Sequence, residues 1–154
     1  MEGTLLGAYR DGGFVKGDES DIDIGIHDKY FDRYEALIKR LKEAKFECTK
    51  TCLANGDIQG GAFVRGRNHI DVMRMVSKDD KIINYGDGGK LYYEYSLDIF
   101  DGYNEIKFYK EWYLTPRLIE QFLTERYGDW KTPVPKSEYS WKDIKYSPNV
   151  RCIT

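Results

Sequence analysis

The stretch Gly17-Asp18-Glu19-Ser20-Asp21-Ile22-Asp23-Ile24-Gly25 decides how the chain is read. From Asp21 onward, carboxylates alternate with β-branched apolar residues. That is the period of a strand, with Asp21 and Asp23 on one face and Ile22 and Ile24 on the other. Two carboxylates on one pleat face stand roughly 7 Å apart at Cα, near enough to converge on one cation and costly to leave side by side without it. A divalent metal is the natural third party. For the triplet taken alone, the alternative is an edge strand whose acids face water and discourage aggregation.

Toward the N-terminus, Gly3-Thr4-Leu5-Leu6-Gly7-Ala8-Tyr9-Arg10 reads as a short helix. Its first N–H groups and the Thr4 hydroxyl suit an anion, and the Arg10 guanidinium could reach a phosphate. Spacing alone gives only a capping Thr4 and a solvated Arg10. Gly12-Gly13-Phe14 makes a turn into the acidic strand, and Asp18 and Glu19 belong to the turn before it. Toward the C-terminus, Tyr30, Tyr34, Leu37, Ile38 and Leu41 recur at helical spacing, so Lys29 to Lys45 is expected to form an amphipathic helix over one sheet face. Phe46 to Leu53 and Gly61 to Arg65 read as a hairpin about the turn Asn55-Gly56-Asp57, with Gly60-Gly61 as a bulge.

The next strand, His69-Ile70-Asp71-Val72-Met73-Arg74-Met75-Val76, places a single carboxylate between two apolar residues. Such an aspartate is unusual in a buried strand unless its charge is neutralised, and a metal shared with Asp21 and Asp23 would neutralise it. His69 and Arg74 read as strand-surface positions. Leu97-Asp98-Ile99-Phe100 has the same form and competes with Asp71.

Taken together, Gly-Thr-Leu-Leu-Gly-Ala-x-Arg, Gly-Gly-Phe and Asp-Ile-Asp-Ile-Gly resemble the LicD/fukutin-related family of the nucleotidyltransferase superfamily. Tyr127-Gly128-Asp129-Trp130 followed by Thr132-Pro133 resembles the family's terminal signature, so the likeness runs from Gly3 to about Pro135. The resemblance implies that Gly3, Thr4 and Arg10 steady donor phosphates and that Asp21 and Asp23 hold magnesium or manganese. It also implies that a third carboxylate on a hydrophobic-Asp-hydrophobic strand completes the site and takes the acceptor proton. Asp71 is favoured over Asp98 in that role, because a turn and an aromatic-rich strand, Asn84 to Tyr95, follow it as they do in the family. Family members carry a helix and a strand before the Gly-Thr, so this chain is expected to be N-terminally shortened. A homo-oligomer or a partner segment would then complete the sheet.

Beyond Asn84, Lys90 to Tyr95, Glu105 to Tyr109 and Glu111 to Leu114 are expected to form a meander. Its aromatics read mostly as packing, although such rings also suit a base or a quaternary ammonium group. Pro116 is placed in the first turn of a helix carrying Leu118, Ile119, Phe122 and Leu123 and stopping at Gly128.

At 154 residues and 41% hydrophobic, the chain suits a single core. A formal charge of -2 gives no general attraction to nucleic acid or to an anionic membrane. No run approaches spanning length and no leader pattern opens the sequence, so a cytoplasmic protein is expected. Cys48, Cys52 and Cys152 read as reduced thiols.

The expected fold is α+β, a nucleotidyltransferase-like mixed sheet bearing the carboxylates, with helices mainly on its other face. Residues 1–135 form the domain and 136–154 a tail. The expected function is metal-dependent transfer of phosphocholine or an alditol phosphate from a CDP-linked donor to a sugar hydroxyl of a glycan. The alternatives are attack on the α-phosphate of an NTP, or a member of the same fold that binds or regulates without turnover.

Overall fold

The computed structural model describes residues 2–153. Helix α1 (Glu2–Leu6) continues into a π-helical turn, Gly7–Asp11, and leads to strand β1 (Asp21–His27). A 3₁₀ segment (Asp28–Arg33) then precedes α2 (Tyr34–Glu43). Five strands follow: β2 (Glu47–Ala54), β3 (Asp57–Arg65), β4 (Asn68–Lys78), β5 (Lys81–Gly86) and β6 (Leu91–Ser96). A separate hairpin, β7 (Tyr103–Phe108) and β8 (Glu111–Pro116), comes before α3 (Ile119–Tyr127) and a last strand, β9 (Val150–Cys152).

The long strand β4 organises the sheet. Its first part pairs antiparallel with β3 and parallel with β1, and its last three residues pair with β5. The sheet runs β2-β3-β4-β5-β6-β9, with β1 joined to β4. It is therefore mixed and curled, and the fold is α+β and nucleotidyltransferase-like.

Strand parity separates the two faces of β1 and β4. Ile70 and Val72 of β4 and Ile26 of β1 face a core closed by Tyr34, Leu37, Ile38 and Leu41 of α2 with Phe46 and Phe63. This core lies opposite the carboxylates. Met75, on the carboxylate face, enters a second core with Leu5 and Leu6 of α1, Tyr95 of β6, and Ile119, Phe122 and Leu123 of α3. Tyr95 stacks on Phe122 with ring centroids 5.0 Å apart. The segment beyond Pro135 folds onto the same body, with Tyr93↔Val150 and Leu91↔Cys152 pairing β6 to β9.

Several local expectations are corrected. Leu97–Phe100 is a 3₁₀ turn rather than a strand, because Ile99 turns fully into the second core. The hairpin β7–β8 pairs only with itself among the described residues, so β6 does not continue into a meander. Pro116 ends β8, where its missing N–H costs no ladder bond, and α3 begins at Ile119.

The bulge in β3 is where the sequence expected it. The register shifts between Cys52↔Gly60 and Leu53↔Ile58. Gly60 has φ +144°, and a Cβ there would overlap the Val72 carbonyl. Gly60→Ala is therefore expected to cost about 1–3 kcal/mol, read as a lower midpoint in urea denaturation. An unchanged midpoint would show that β3 can move away from β4 without penalty.

Candidate functional site

In the parallel pairing of β1 with β4, Asp21 lies beside His69 and Asp23 beside Asp71. Alternation puts all four side chains on one face. They line a cleft of about 660 Å³, whose walls also include Glu2, Asp18, Lys136 and Trp141.

The His69 imidazole lies between two carboxylates, with Nδ1 3.0 Å from Asp21 Oδ1 and Nε2 3.5 Å from Asp71 Oδ1. Burial pushes the Asp71 carboxyl up to about 6. His69 opposes this rise, while the charges of Asp23 and Asp21 add to it. Asp21 is raised as well, by burial first and then by Asp23.

Asp23 is held from another direction. Its Oδ2 accepts from the N–H groups of Gly3 at 2.8 Å and Thr4 at 3.3 Å, which begin α1. The Asp23 N–H in turn donates to the Thr4 hydroxyl at 2.8 Å. The anion at the start of α1 is thus a side chain of β1, and it fixes helix and strand to each other.

Arg10 lies at the far end of the π turn. Its guanidinium donates to Asp11 at 2.7 and 2.8 Å and to the Trp130 carbonyl at 3.2 Å. It borders a smaller neighbouring cavity and not the cleft of the aspartates. Asp98 is on the 3₁₀ turn and outside both cavities. Glu19 accepts from the Gly17 N–H within its turn, while Asp18 pairs with Lys136 and lines the cleft.

The structure adds His69 to the site. Its signal was present in the sequence, since a residue two before Asp71 on one strand shares its face. Arg74, three positions after Asp71, is on the opposite face, where it pairs with Asp28 and stacks on Phe31.

The ligand atoms of Asp21, His69 and Asp71 lie within 4.8 Å of one another. Donors roughly 2.0–2.2 Å from a shared ion stand up to about 4.4 Å apart, so small side-chain adjustments bring the three onto one metal. Two carboxylate oxygens and one imidazole nitrogen suit manganese or zinc as well as magnesium, whereas an oxygen-only set drawing on Asp23 favours magnesium. The residues present therefore fit a divalent cation.

Among the described residues, no helix is long and apolar enough to cross a membrane. A family model described as LicD/FKTN/FKRP, nucleotidyltransferase domain, matches residues 1–118, which include α1 and every aspartate of the cleft. No curated protein matches the chain.

Proposed function

The chain belongs to the LicD/FKTN/FKRP nucleotidyltransferase-domain family, and from that premise we propose that it transfers phosphocholine or an alditol phosphate from a CDP-linked donor to a sugar hydroxyl of a glycan. The observation that carries this reading is the in-register pairing of β1 with β4, which turns Asp21, Asp23, His69 and Asp71 into one cleft. A volume of about 660 Å³ is within the range of small-molecule clefts, roughly 300–1,000 Å³.

A divalent ion, Mg²⁺ or Mn²⁺, held by Asp21 and Asp71 with His69 or Asp23, would neutralise the diphosphate and make phosphorus more open to attack. Asp71 takes the proton of the acceptor hydroxyl. Its side chain lines the cleft beside Asp21 and His69, where the acceptor hydroxyl would enter. His69 orients the Asp21 and Asp71 carboxylates from between them. Gly3 and Thr4 act through Asp23, fixing its oxygen with two backbone N–H groups. Arg10 steadies the donor phosphates from the neighbouring cavity. We place the reaction in the cytoplasm, in keeping with the free thiols of Cys48, Cys52 and Cys152.

Phosphorus NMR tests the proposal. With CDP-choline or a CDP-alditol, a sugar acceptor and Mg²⁺ or Mn²⁺, the diphosphate signals should decay while CMP accumulates, because the bond broken lies beyond the phosphate attached to the nucleoside. Pyrophosphate from an NTP, with no CMP from any CDP donor, would assign the site to nucleotidyl transfer instead. Binding of CDP donors with neither product formed would point to a member that does not turn over.

A further inference from the structure

Beside the main cleft lies a second cavity of about 130 Å³, and the two share Lys136 and Tyr139 as a common wall. Their charge balances differ. The cleft is dominated by Glu2, Asp18, Asp21, Asp23, Asp71 and Asp87. The smaller cavity gathers Arg10, Lys16 and Lys136 against Asp18 and Asp129.

We propose that this smaller cavity is an oxyanion subsite, with Lys16 and Lys136 as its mobile cations and Arg10 as its fixed one. Lys136 reaches across from the segment after Pro135 to pair with the Asp18 carboxylate, and it donates to the Gly17 carbonyl at 2.9 Å. The Lys136 side chain is 66% exposed. An exposed pair of this kind is weakly held, so the ammonium exchanges readily from Asp18 to an incoming phosphate or carboxylate oxygen. Lys16 makes no ion pair among the described residues. The Arg10 guanidinium is locked between Asp11 and the Trp130 carbonyl, and Asp11 offsets much of its charge, so the two lysines carry the exchangeable part of the attraction. Trp130 and Val134 line the same walls and keep part of the surroundings apolar, which strengthens charge attraction inside.

The size sets the ligand class. At about 130 Å³ the cavity is well below the roughly 300–1,000 Å³ of clefts that take whole small molecules, which suits a phosphate or carboxylate group better than a nucleoside. Lys136 lies outside the family-matched residues 1–118, so this subsite is built partly by a segment that the shared domain does not specify. The anion could be the outer phosphate of a nucleoside-diphosphate donor or an acidic group on the acceptor, since either presents the same oxygens.

Thermal melts with inorganic phosphate, run in chelator so that no divalent cation takes part, test the subsite. At ten times its dissociation constant, phosphate should raise the melting temperature by about 3–5 °C, and the shift should grow with the logarithm of phosphate concentration above that point. Lys136→Ala and Lys16→Ala should each weaken the apparent affinity at least about fivefold. Lys50→Ala, which removes a cation only from the cleft wall, should leave it unchanged. CDP that displaces phosphate competitively would assign the subsite to the donor, and additive shifts would assign it to the acceptor. Absence of a shift, a shift that is only linear in phosphate concentration as for an excluded salt, or lysine variants that bind like the wild type, would overturn the proposal. The melts do not involve turnover, so the subsite and the transferase reading fail separately.

Discussion

Asp71→Asn is expected to lower transfer from a CDP donor by about a thousandfold, while Asp98→Asn changes it by less than about twofold. Asp71 faces the cleft beside Asp21 and His69, whereas Asp98 is on a 3₁₀ turn whose neighbour Ile99 is sealed in the core. The same substitution should act on stability in the opposite sense. Asp71 is raised from an ordinary value near 3.8 to about 6, with burial the largest cause, so its protonated form favours the fold. That contribution is complete below about pH 4 and is lost as pH rises through about 6. Without added metal, Asp71→Asn should therefore melt above the wild type at pH 8 and alongside it at pH 4. The margin at pH 8 should be about 1 kcal/mol, because the side chain is 39% exposed and solvent screens much of the effect. Millimolar Mg²⁺ or Mn²⁺ should reverse the order by stabilising the wild type alone. Calorimetry at the two pH values, with and without metal, reads all of this. Full turnover by Asp71→Asn, with loss in Asp98→Asn, would sink the assignment.

What could be read from the sequence was local. Alternation in Asp21-Ile22-Asp23-Ile24 fixed which side chains share a face, and the helical spacing of Tyr34, Leu37, Ile38 and Leu41 fixed the stripe that α2 buries. The doubled glycine at 60–61 marked the bulge because a backbone approaching this closely leaves no room for a Cβ. What could not be read depends on pairing across the chain. Asp23 bonds to Gly3 and Thr4 only because α1 lies against β1, nearly twenty residues away in sequence. Arg74 finds Asp28 because the 3₁₀ segment after β1 crosses the opposite face of β4. The short β9 carries no periodic signal of its own, and it becomes a strand because β6 offers it an edge. Asp98 competed with Asp71 for a related reason: a hydrophobic-Asp-hydrophobic triplet fits a strand and a core-anchored turn equally well, and tertiary packing makes Leu97–Phe100 a turn.

Arg126 is the residue whose loss should destabilise the protein most. It is 2% exposed, its Nη2 lies 3.0 Å from Glu2 Oε2, and its Nη1 donates to the Ser147 hydroxyl. Its guanidinium also stacks over Tyr93 and Tyr127, 4.3 and 4.9 Å from their centroids. One side chain thereby joins α3, α1, β6 and the C-terminal segment. Glu2 is further held by the Tyr95 hydroxyl at 3.0 Å and is only 13% exposed at the wall of the cleft, so its carboxylate stays largely desolvated when Arg126 is removed. Breaking one side of a buried pair costs about 3–5 kcal/mol, since the remaining charge is stranded. Arg126→Met should accordingly lower the melting temperature by roughly 10 °C. Arg126→Lys should recover little, because an ammonium cannot reach both Glu2 and Ser147 while lying flat on the tyrosine rings. The double variant Glu2→Met with Arg126→Met should be milder than Arg126→Met alone. Replacing the whole pair also removes the Glu2 carboxylate that Arg126→Met alone leaves uncompensated. Additive losses in that double-mutant cycle would show that packing on the tyrosines, and not the charge pair, holds α1 in place, and a melting temperature for Arg126→Met within about 2 °C of the wild type would show that neither does. If the pair does hold it, Arg126→Met should also lower turnover beyond any loss of folded protein, because the Gly3 and Thr4 N–H groups that fix Asp23 move with α1.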